Sequence, residues 1–217
     1  MKKVYRTYGG QGVDVAEHRA DDLDRLCLER LSQLAHPSVV DLGCGAGGQS
    51  VRMAKGGAEV TAVDRYDFSK QFTEYGTKQP ELAASLQFVQ SDIVDWVTDN
   101  QTKVDCVVLQ RTLHYLSYLE AKQLLQKLAK ITNDSLYISV TGLDSAVGQN
   151  YPGNDQVLEQ RFYLLDGQTA ETFSIFKPVC FYTQEEFTQL LEATGWKIEE
   201  LWVSAFGNIK AVCSPAV

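Results

Sequence analysis

One segment decides the fold of this chain: residues 39–48 read VVDLGCGAGG, a short apolar strand that runs into a glycine-rich loop. Glycine permits a tight turn and lets a ligand approach the backbone, and the N–H groups at the start of the following helix remain free to bind it. Gly43, Gly45 and Gly48 also satisfy the dinucleotide-binding fingerprint G-x-G-x-x-G, which is a weak signal when taken alone. The segment therefore predicts a ligand site where the strand meets the helix.

Strands and helices alternate on both sides of this segment. The helical spacing of leucines from Leu23 to Leu34 predicts a first helix, which ends before Pro37. Apolar strands are then predicted at 38–42, 59–64, 86–90, 104–109 and 136–140. The clearest helix between strands covers residues 118–131. Strands that alternate with helices imply a parallel sheet that is covered on both faces.

The carboxyl-terminal part has a different pattern. Thr183 and Glu186 form a capping box, which predicts the start of a helix. Residues 196–206 and 209–213 predict two strands, joined by a two-residue turn at Gly207-Asn208. The whole pattern predicts an α/β fold: a doubly wound, Rossmann-like, mostly parallel sheet of seven strands that ends in an antiparallel hairpin.

Composition and charge limit the possible functions. The 217 residues suit a single domain, 1–217, with a net charge of −8. An acidic surface repels phosphate backbones, so nucleic acid is a disfavoured partner. No apolar run is long enough for a signal peptide or a membrane span, and the five scattered cysteines fit reduced thiols better than disulfides or a metal site. We therefore expect a cytoplasmic protein without a bound metal.

Two features oppose a dinucleotide as the ligand of the glycine loop. Asp41 lies two residues before the first glycine, where its carboxylate would repel a pyrophosphate. The same carboxylate suits a ligand that carries an ammonium group and a sulfonium, so Asp41 is a candidate binding residue. The predicted hairpin is the second feature, because simple nicotinamide-binding domains end in a parallel strand. Dinucleotide binding is therefore the weaker interpretation.

Residues 39–47 resemble motif I of the class I S-adenosylmethionine-dependent methyltransferases, and the resemblance extends over residues 36–213. It implies S-adenosylmethionine as the cofactor, with Gly43 and Gly45 lining its methionine moiety. It also implies the small-molecule branch of the family without identifying the acceptor. Cys44 falls at a variable loop position of the family, so no nucleophilic role follows for it.

Acidic residues follow the next two strands. Asp64 ends the second strand, where its carboxylate can accept hydrogen bonds from both hydroxyls of a ribose; the alternative is a solvated acid that caps the next helix. By the resemblance, Asp92 accepts from the adenine amino group, the N–H of Ile93 reaches the ring, and Arg65 flanks the adenine. Asp92 is also typical of a helix N-cap, and its two roles are compatible.

Residues 110–116, QRTLHYL, follow the fourth strand, where methyl transfer is expected. Gln110 is a candidate cofactor-binding residue. His114 is the candidate general base, and the alternative is that it only packs beside the cofactor. Methyl transfer is an in-line displacement from a sulfonium, so a base is needed only if the acceptor must lose a proton. The Pro-Pro-aromatic motif of enzymes that methylate nucleobases or glutamine is absent from this segment.

Two segments are expected to enclose the site. Residues 1–36 are predicted to form a cap segment and a helix, in which Arg19 either pairs with the methionine carboxylate or is a solvated charge. Residues 142–180 show no strong period, and a stretch of that length predicts a substrate cover. The leading hypothesis is methyl transfer to oxygen, nitrogen or sulfur of a small molecule. The alternatives are methylation of RNA or protein, and a non-catalytic module that binds the cofactor or its product.

Overall fold

The structure is a computed structural model that describes residues 7–12, 14, 16 and 20–216. Its helices are α1 Asp22–Leu31, α2 Gly48–Lys55, α3 Ser69–Lys78, α4 Ile93–Asp99, α5 Tyr118–Ile131, α6 Gly167–Phe173 and α7 Gln184–Ala193. Its strands are β1 Ser38–Leu42, β2 Glu59–Asp64, β3 Leu86–Gln90, β4 Val104–Gln110, β5 Thr132–Thr141, β6 Trp196–Val203 and β7 Asn208–Pro215. Strands and helices alternate through β5, as the sequence predicts.

The seven strands form one sheet in the order β3-β2-β1-β4-β5-β7-β6. Strands β1 to β5 are parallel, whereas β7 runs antiparallel to both β5 and β6. The chain proceeds outward from β1 to β3 and then returns to the other side of β1 as β4. Sheets of this kind bind ligands outside the carboxyl ends of the strands, at the point where the order reverses. The fold therefore locates a candidate site beside the carboxyl ends of β1 and β4.

Apolar side chains cover both faces of the sheet. On one face, α5 and α7 pack through a cluster that includes the fully buried Leu125, Phe187 and Trp196. On the other face, α1 and α2 pack through a second cluster that includes Leu23 and Met53. Because β1 and β4 are buried on both faces, their sequences are nearly continuous apolar runs rather than alternating patterns.

The predicted fold class is confirmed, including the antiparallel pair at the end. The prediction of a two-residue turn at Gly207-Asn208 is wrong, because Asn208 already belongs to β7. The connecting loop comprises residues 204–207, and the N–H of Gly207 donates to the carbonyl of Ser204 at 2.8 Å. Strand β5 begins earlier than predicted, at Thr132, because its polar first residues hide it from an apolar pattern.

Residues 142–180 form an irregular layer that contains α6. The layer has a small apolar core, which consists of Tyr151, Leu165, Ala170, Ile175 and Val179 together with Phe181, the residue that follows the layer. It contacts the amino-terminal segment, because Gln11 pairs with Ile175 through an isolated bridge and the N–H of Gly12 donates to the carbonyl of Ser174 at 2.8 Å. The two segments that the sequence singles out as covers therefore touch each other.

Two further features concern the chain as a whole. Among the described residues, no helix is long and apolar enough to cross a membrane. All five cysteines are buried and carry free thiols. Burial raises the pKa of each of these thiols, so they resemble small hydrophobic side chains in their behaviour.

Candidate active site

A cavity of about 1250 Å³ lies beside the carboxyl ends of β1, β2 and β4. The amino-terminal segment and the layer of residues 142–180 contribute to its walls. The site residues predicted from the sequence that line this cavity are Asp41, Gly43, Gly45, Asp64, Arg65, Asp92, Ile93, Gln110 and His114. Arg19, the remaining predicted residue, lies outside the described residues. The parallel topology thus collects residues from four different strand ends around one space.

The glycine loop packs closely against Thr112 and Asp14, at two positions where a side chain would not fit. Gly43 has a φ of 76° and Gly45 a φ of 54°, both in the left-handed region. A Cβ on Gly43 would lie 2.3 Å from Oγ1 of Thr112, and a Cβ on Gly45 would lie 2.5 Å from Oδ2 of Asp14. Only glycine fits both the conformation and the space. These two positions therefore determine how closely the loop backbone lines the cavity.

Asp64 connects the end of β2 to this loop. Its Oδ2 accepts a hydrogen bond from the N–H of Gly45 at 3.0 Å, and its Oδ1 accepts one from the N–H of Tyr66 at 2.9 Å. Burial raises the pKa of this carboxyl, and the two backbone hydrogen bonds act against that rise. The side chain is buried rather than solvated. Each oxygen keeps a lone pair, so Asp64 can still accept hydrogen bonds from a ligand.

Arg65, Asp92 and Ile93 meet at one edge of the cavity. Asp92 caps α4 by accepting from the N–H of Val94 at 2.9 Å, as the sequence predicts. Its other oxygen accepts from the guanidinium of Arg65 at 2.9 Å. Ile93 is buried at the first position of α4. The Arg65–Asp92 ion pair is a tertiary feature that joins the loops after two neighbouring strands.

Asp41 is a buried carboxyl in an acidic wall of the cavity. It is only 4% exposed, and its Oδ2 accepts from the hydroxyl of Ser50 at 2.6 Å. Burial raises its pKa to about 7; the hydrogen bond from Ser50 opposes this rise, and the charges of Asp24, Asp14 and Asp64 add to it. Among the described residues, no group of three or more His, Cys, Asp or Glu side chains is arranged to hold a metal ion.

The sequence does not single out two residues of the site. Asp14 accepts from the N–H of Ala46 at 2.9 Å and lies against Gly45. Gln49, in the first turn of α2, lines the cavity, and its buried Nε2 has no hydrogen-bond partner within the described part of the chain. A buried donor without an acceptor is unfavourable, which indicates that a ligand supplies the acceptor. Asp14 is distant from the loop in sequence, so only the folded chain brings it there, whereas Gln49 directly follows the loop and only its unsatisfied burial depends on the fold.

Gln110 connects the cavity wall to α1. Its side-chain amide donates a hydrogen bond to Asp24, which is buried in the first turn of α1. Asp24 also accepts from Arg52 at 3.3 Å and forms a capping box with Asp21. These contacts anchor the first helix against the end of β4. A ligand that used the Gln110 amide would therefore have to share it with Asp24.

His114 is a neutral, buried imidazole at the cavity. It is 2% exposed, and burial, followed by the charge of Arg111, lowers its pKa to about 3. Its Nδ1 accepts a hydrogen bond from the N–H of Thr141 at 3.3 Å. A neutral imidazole that accepts at Nδ1 carries its proton on Nε2. In this state the ring can donate a hydrogen bond into the cavity, and Nε2 has no free lone pair with which to accept a proton.

The sequence is similar to one known protein family and to one bacterial protein. A family described as a methyltransferase domain matches residues 39–135. The Bacillus subtilis (strain 168) protein YqeM, whose name assigns it provisionally to the methyltransferases, is 22% identical over 190 residues, which cover 75% of this chain and 74% of the relative. The family match contains the glycine loop and the strand ends that line the cavity.

Solved methyltransferase structures share the fold. The 1,6-didemethyltoxoflavin-N1-methyltransferase of Burkholderia thailandensis, solved with 1,6-didemethyltoxoflavin and S-adenosylhomocysteine, has a TM-score of 0.69 at 17% identity, covering 94% of this chain and 79% of that chain. An S-adenosylmethionine-dependent methyltransferase of Clostridium acetobutylicum ATCC 824 has a TM-score of 0.67 at 13% identity, covering 94% and 95%. Identities this low show the fold alone.

The sequence motif, the fold and the family match agree with one another. Residues 39–47 resemble motif I, the sheet has the predicted order of parallel strands followed by an antiparallel pair, and the matched family is described as a methyltransferase domain. Residues 39–135 thus match a methyltransferase domain, and the chain has the fold of solved S-adenosylmethionine-dependent methyltransferases.

Proposed function

We propose that this protein binds S-adenosylmethionine in the cavity and transfers its methyl group to oxygen, nitrogen or sulfur of a small molecule. One observation carries the proposal: a single cavity is lined by the glycine loop after β1, by Asp64 at the end of β2 and by Asp92 after β3. These positions surround the point at which the strand order reverses, where doubly wound sheets bind nucleotide ligands.

The lining groups match the chemical groups of this cofactor. Asp64 has lone pairs left to accept hydrogen bonds from two ribose hydroxyls. Asp14 supplies negative charge for an ammonium group and a sulfonium, and a bound cation would favour the ionised form of Asp41 beside it. The donor that Gln49 leaves without a partner in the described structure suits a carboxylate, and Arg19 remains a second candidate for that group. The donor set therefore fits S-adenosylmethionine.

The adenine is proposed to bind at the edge formed by Arg65, Asp92 and Ile93. The first N–H groups of α4 have no partner within the helix, so that of Ile93 is available to a ring nitrogen. The Arg65 side chain is 53% exposed, and an exposed ion pair contributes little to stability. Asp92 can therefore exchange part of its contact with Arg65 for a hydrogen bond from an adenine amino group.

The protein's own contribution to the proposed reaction is the positioning of the two reactants. S-adenosylmethionine supplies a methyl group on a positively charged sulfur. The acceptor atom forms its bond to the methyl carbon as the carbon–sulfur bond breaks, and the bonding electrons stay on the departing sulfur, which needs no proton. Holding the acceptor in line with that bond accounts for much of the acceleration such a reaction needs.

The cavity supports a small acceptor. Ligand cavities usually measure about 300–1,000 Å³, so the volume of about 1250 Å³ leaves room for a second small molecule beside the cofactor. Part of the wall is apolar, with Phe173 and Ile175 from the layer of residues 142–180 and Phe206 from the loop between β6 and β7. The layer of residues 142–180 is accordingly proposed as a substrate cover. The net charge of −8 disfavours a nucleic-acid acceptor.

We expect the purified protein to bind S-adenosylhomocysteine and not NAD when both are titrated over the same concentrations. The reason is charge, because Asp41 and Asp14 at the glycine loop repel a pyrophosphate. Isothermal titration calorimetry measures both affinities, with adenosine as a control for the nucleoside part. Tighter binding of NAD than of S-adenosylhomocysteine would overturn the proposed function.

A screen of acceptors that follows release of S-adenosylhomocysteine then separates an enzyme from a non-catalytic binding module.

We propose that His114 donates a hydrogen bond to the bound acceptor and is not its general base. His114→Ala is then expected to lower kcat/KM by about tenfold, the effect of one neutral hydrogen bond. The loss should be the same at every pH at which the ring is neutral. The measurement is a pH–rate profile of the wild type and the variant, with the acceptor that the screen identifies.

His114→Gln is the matched control, because its side-chain amide can donate from a similar position but cannot take up a proton. Activity close to that of the wild type in His114→Gln would support donation. A fall in kcat of about a hundredfold or more in both variants, with a loss that diminishes at high pH, would instead establish a general base.

A further inference from the structure

Arg111 is a cationic residue held in an unfavourable backbone conformation at the cavity. It follows β4 with a φ of 52°, in the left-handed region that residues other than glycine rarely adopt. Its N–H donates to the carbonyl of Ser139 at 2.8 Å and to the hydroxyl of Ser139 at 3.1 Å, and these bonds hold the turn in place. Conformations of this kind are found preferentially at ligand sites, where surrounding structure enforces them.

The guanidinium of Arg111 has no partner in the part of the chain that the structure describes. Its Nε is buried and makes no hydrogen bond, and its side chain forms no ion pair with any residue that the structure describes. Two other cations that line the cavity, Arg65 and Lys210, are paired with carboxylates, and Arg25 is exposed on α1. A buried donor of a charged group is costly when it lacks an acceptor. The unpaired guanidinium therefore indicates a ligand that brings an anionic acceptor.

A second donor lies near this guanidinium. Arg111 and His114 both line the cavity, and the charge of Arg111 contributes to the low pKa of His114. The neutral ring of His114 presents its Nε2–H, whereas the hydroxyl of the adjacent Tyr115 is engaged with the carbonyl of Gln11 at 2.6 Å. A planar guanidinium and an N–H donor that line the same cavity match the paired oxygens of a carboxylate.

We propose that Arg111, assisted by Nε2–H of His114, binds a carboxylate of the methyl acceptor. The acceptor is then a small anionic molecule with an apolar body that contacts Phe173 and Ile175. This inference rests on the proposed function, which supplies the acceptor. The position of Arg111 suits a residue that binds the acceptor. Thr112, the next residue, lies against Gly43, so Arg111 stands where the glycine loop adjoins the rest of the cavity.

The test compares benzoate with its neutral amide, benzamide, by ligand-observed NMR titration with and without saturating S-adenosylhomocysteine. The wild type is expected to bind benzoate more tightly than benzamide. Arg111→Gly is expected to weaken benzoate binding by about tenfold to a hundredfold, and to leave the affinities for benzamide and S-adenosylhomocysteine unchanged. Glycine accepts a φ of 52° without strain, so the variant should fold. Lys55→Gln, exposed at the end of α2, removes the same charge elsewhere and should change nothing.

Two results would overturn the anion site: equal binding of benzoate and benzamide by the wild type, or unchanged benzoate binding in Arg111→Gly. A third result would assign the guanidinium of Arg111 to the cofactor instead of the acceptor. If Arg111→Gly weakens S-adenosylhomocysteine but not 5′-methylthioadenosine, which lacks the amino-acid end, the guanidinium binds the cofactor and the inference is wrong. Failure of the wild type to bind S-adenosylhomocysteine would contradict the proposed function instead, and the titration without cofactor would still decide the anion site.

Discussion

Replacing Asp41 by asparagine is expected to stabilise the protein, and to do so increasingly as the pH rises. Burial raises the pKa of Asp41 from its ordinary value of 3.8 to about 7. Between these two values the folded state keeps the proton while the unfolded state has lost it, and above the higher value the folded state carries a buried charge. The stability associated with this group therefore falls as the pH rises, by about 4 kcal/mol in total.

Asparagine has nearly the same shape as aspartate and does not titrate. Urea unfolding at about pH 5 and at about pH 8 should show that the gain of Asp41→Asn over the wild type is larger at the higher pH, by about 2–3 kcal/mol. Glu59→Gln is the matched control, because it removes one negative charge from the exposed start of β2. A gain that does not depend on pH would mean that Asp41 does not titrate in this range, contrary to the prediction.

The buried carboxyl of Asp41 is also expected to affect the binding of the cofactor. Proteins commonly retain destabilising groups where function requires them, and replacing such a group then raises stability and lowers activity. Asp41→Asn is accordingly expected to bind S-adenosylhomocysteine more weakly even though it unfolds at a higher urea concentration. That combination would support the proposed contact between Asp41 and a cationic group of the cofactor.

Asp64→Ala is expected to weaken S-adenosylhomocysteine binding by about tenfold to a hundredfold, which corresponds to about 1.5–3 kcal/mol. The variant loses charged hydrogen bonds to the proposed ribose. It also loses the acceptor for the N–H of Gly45, so the glycine loop is held less firmly. Isothermal titration calorimetry measures the affinity, and thermal unfolding of the free protein measures the effect on the fold.

Two further variants separate these effects. Asp64→Asn keeps one oxygen that can accept from the loop, so it should preserve the loop better than Asp64→Ala while still binding the cofactor more weakly than the wild type. Asp67→Asn changes a fully exposed aspartate of the same loop, which accepts from the N–H of Ser69 at 2.9 Å, and should leave the affinity unchanged. An unchanged dissociation constant in Asp64→Ala would rule out the proposed ribose contact.

Most of the fold could be predicted because its signals are local. The bounds of β1, β2, β3 and α5 agree with the predicted ones, since each element lies between clear turn or capping signals. Parallel pairing follows from the alternation of strands and helices. The turn between β6 and β7 could not be predicted from Gly207-Asn208, because the register of β7 is set by its pairing with β5 as well as with β6.

Some residues of the candidate site could likewise be predicted from the sequence, and others could not. Asp41, Asp64 and Asp92 could be found because they stand at or just after strand ends, and the carboxyl ends of parallel strands meet at one edge of a sheet. Asp14 could not be found, because nothing in its sequence neighbourhood indicates that it reaches the glycine loop; Gln49 directly follows the loop, but its burial without a partner could not be predicted. Their contacts depend on the path of the amino-terminal segment and on the packing of α2.

The sequence by itself determined the α/β class, the glycine loop and the carboxylates that face it, because these depend on residues close together in the chain. Only the tertiary structure decided the state of the ionisable groups: the carboxyl of Asp41 with a pKa of about 7 and the imidazole of His114 with a pKa of about 3. It also decided that the guanidinium of Arg111 stays unpaired among the described residues. The physical reason is that burial and neighbouring charge set ionisation and pairing, and in this cavity both come from residues far apart in the chain.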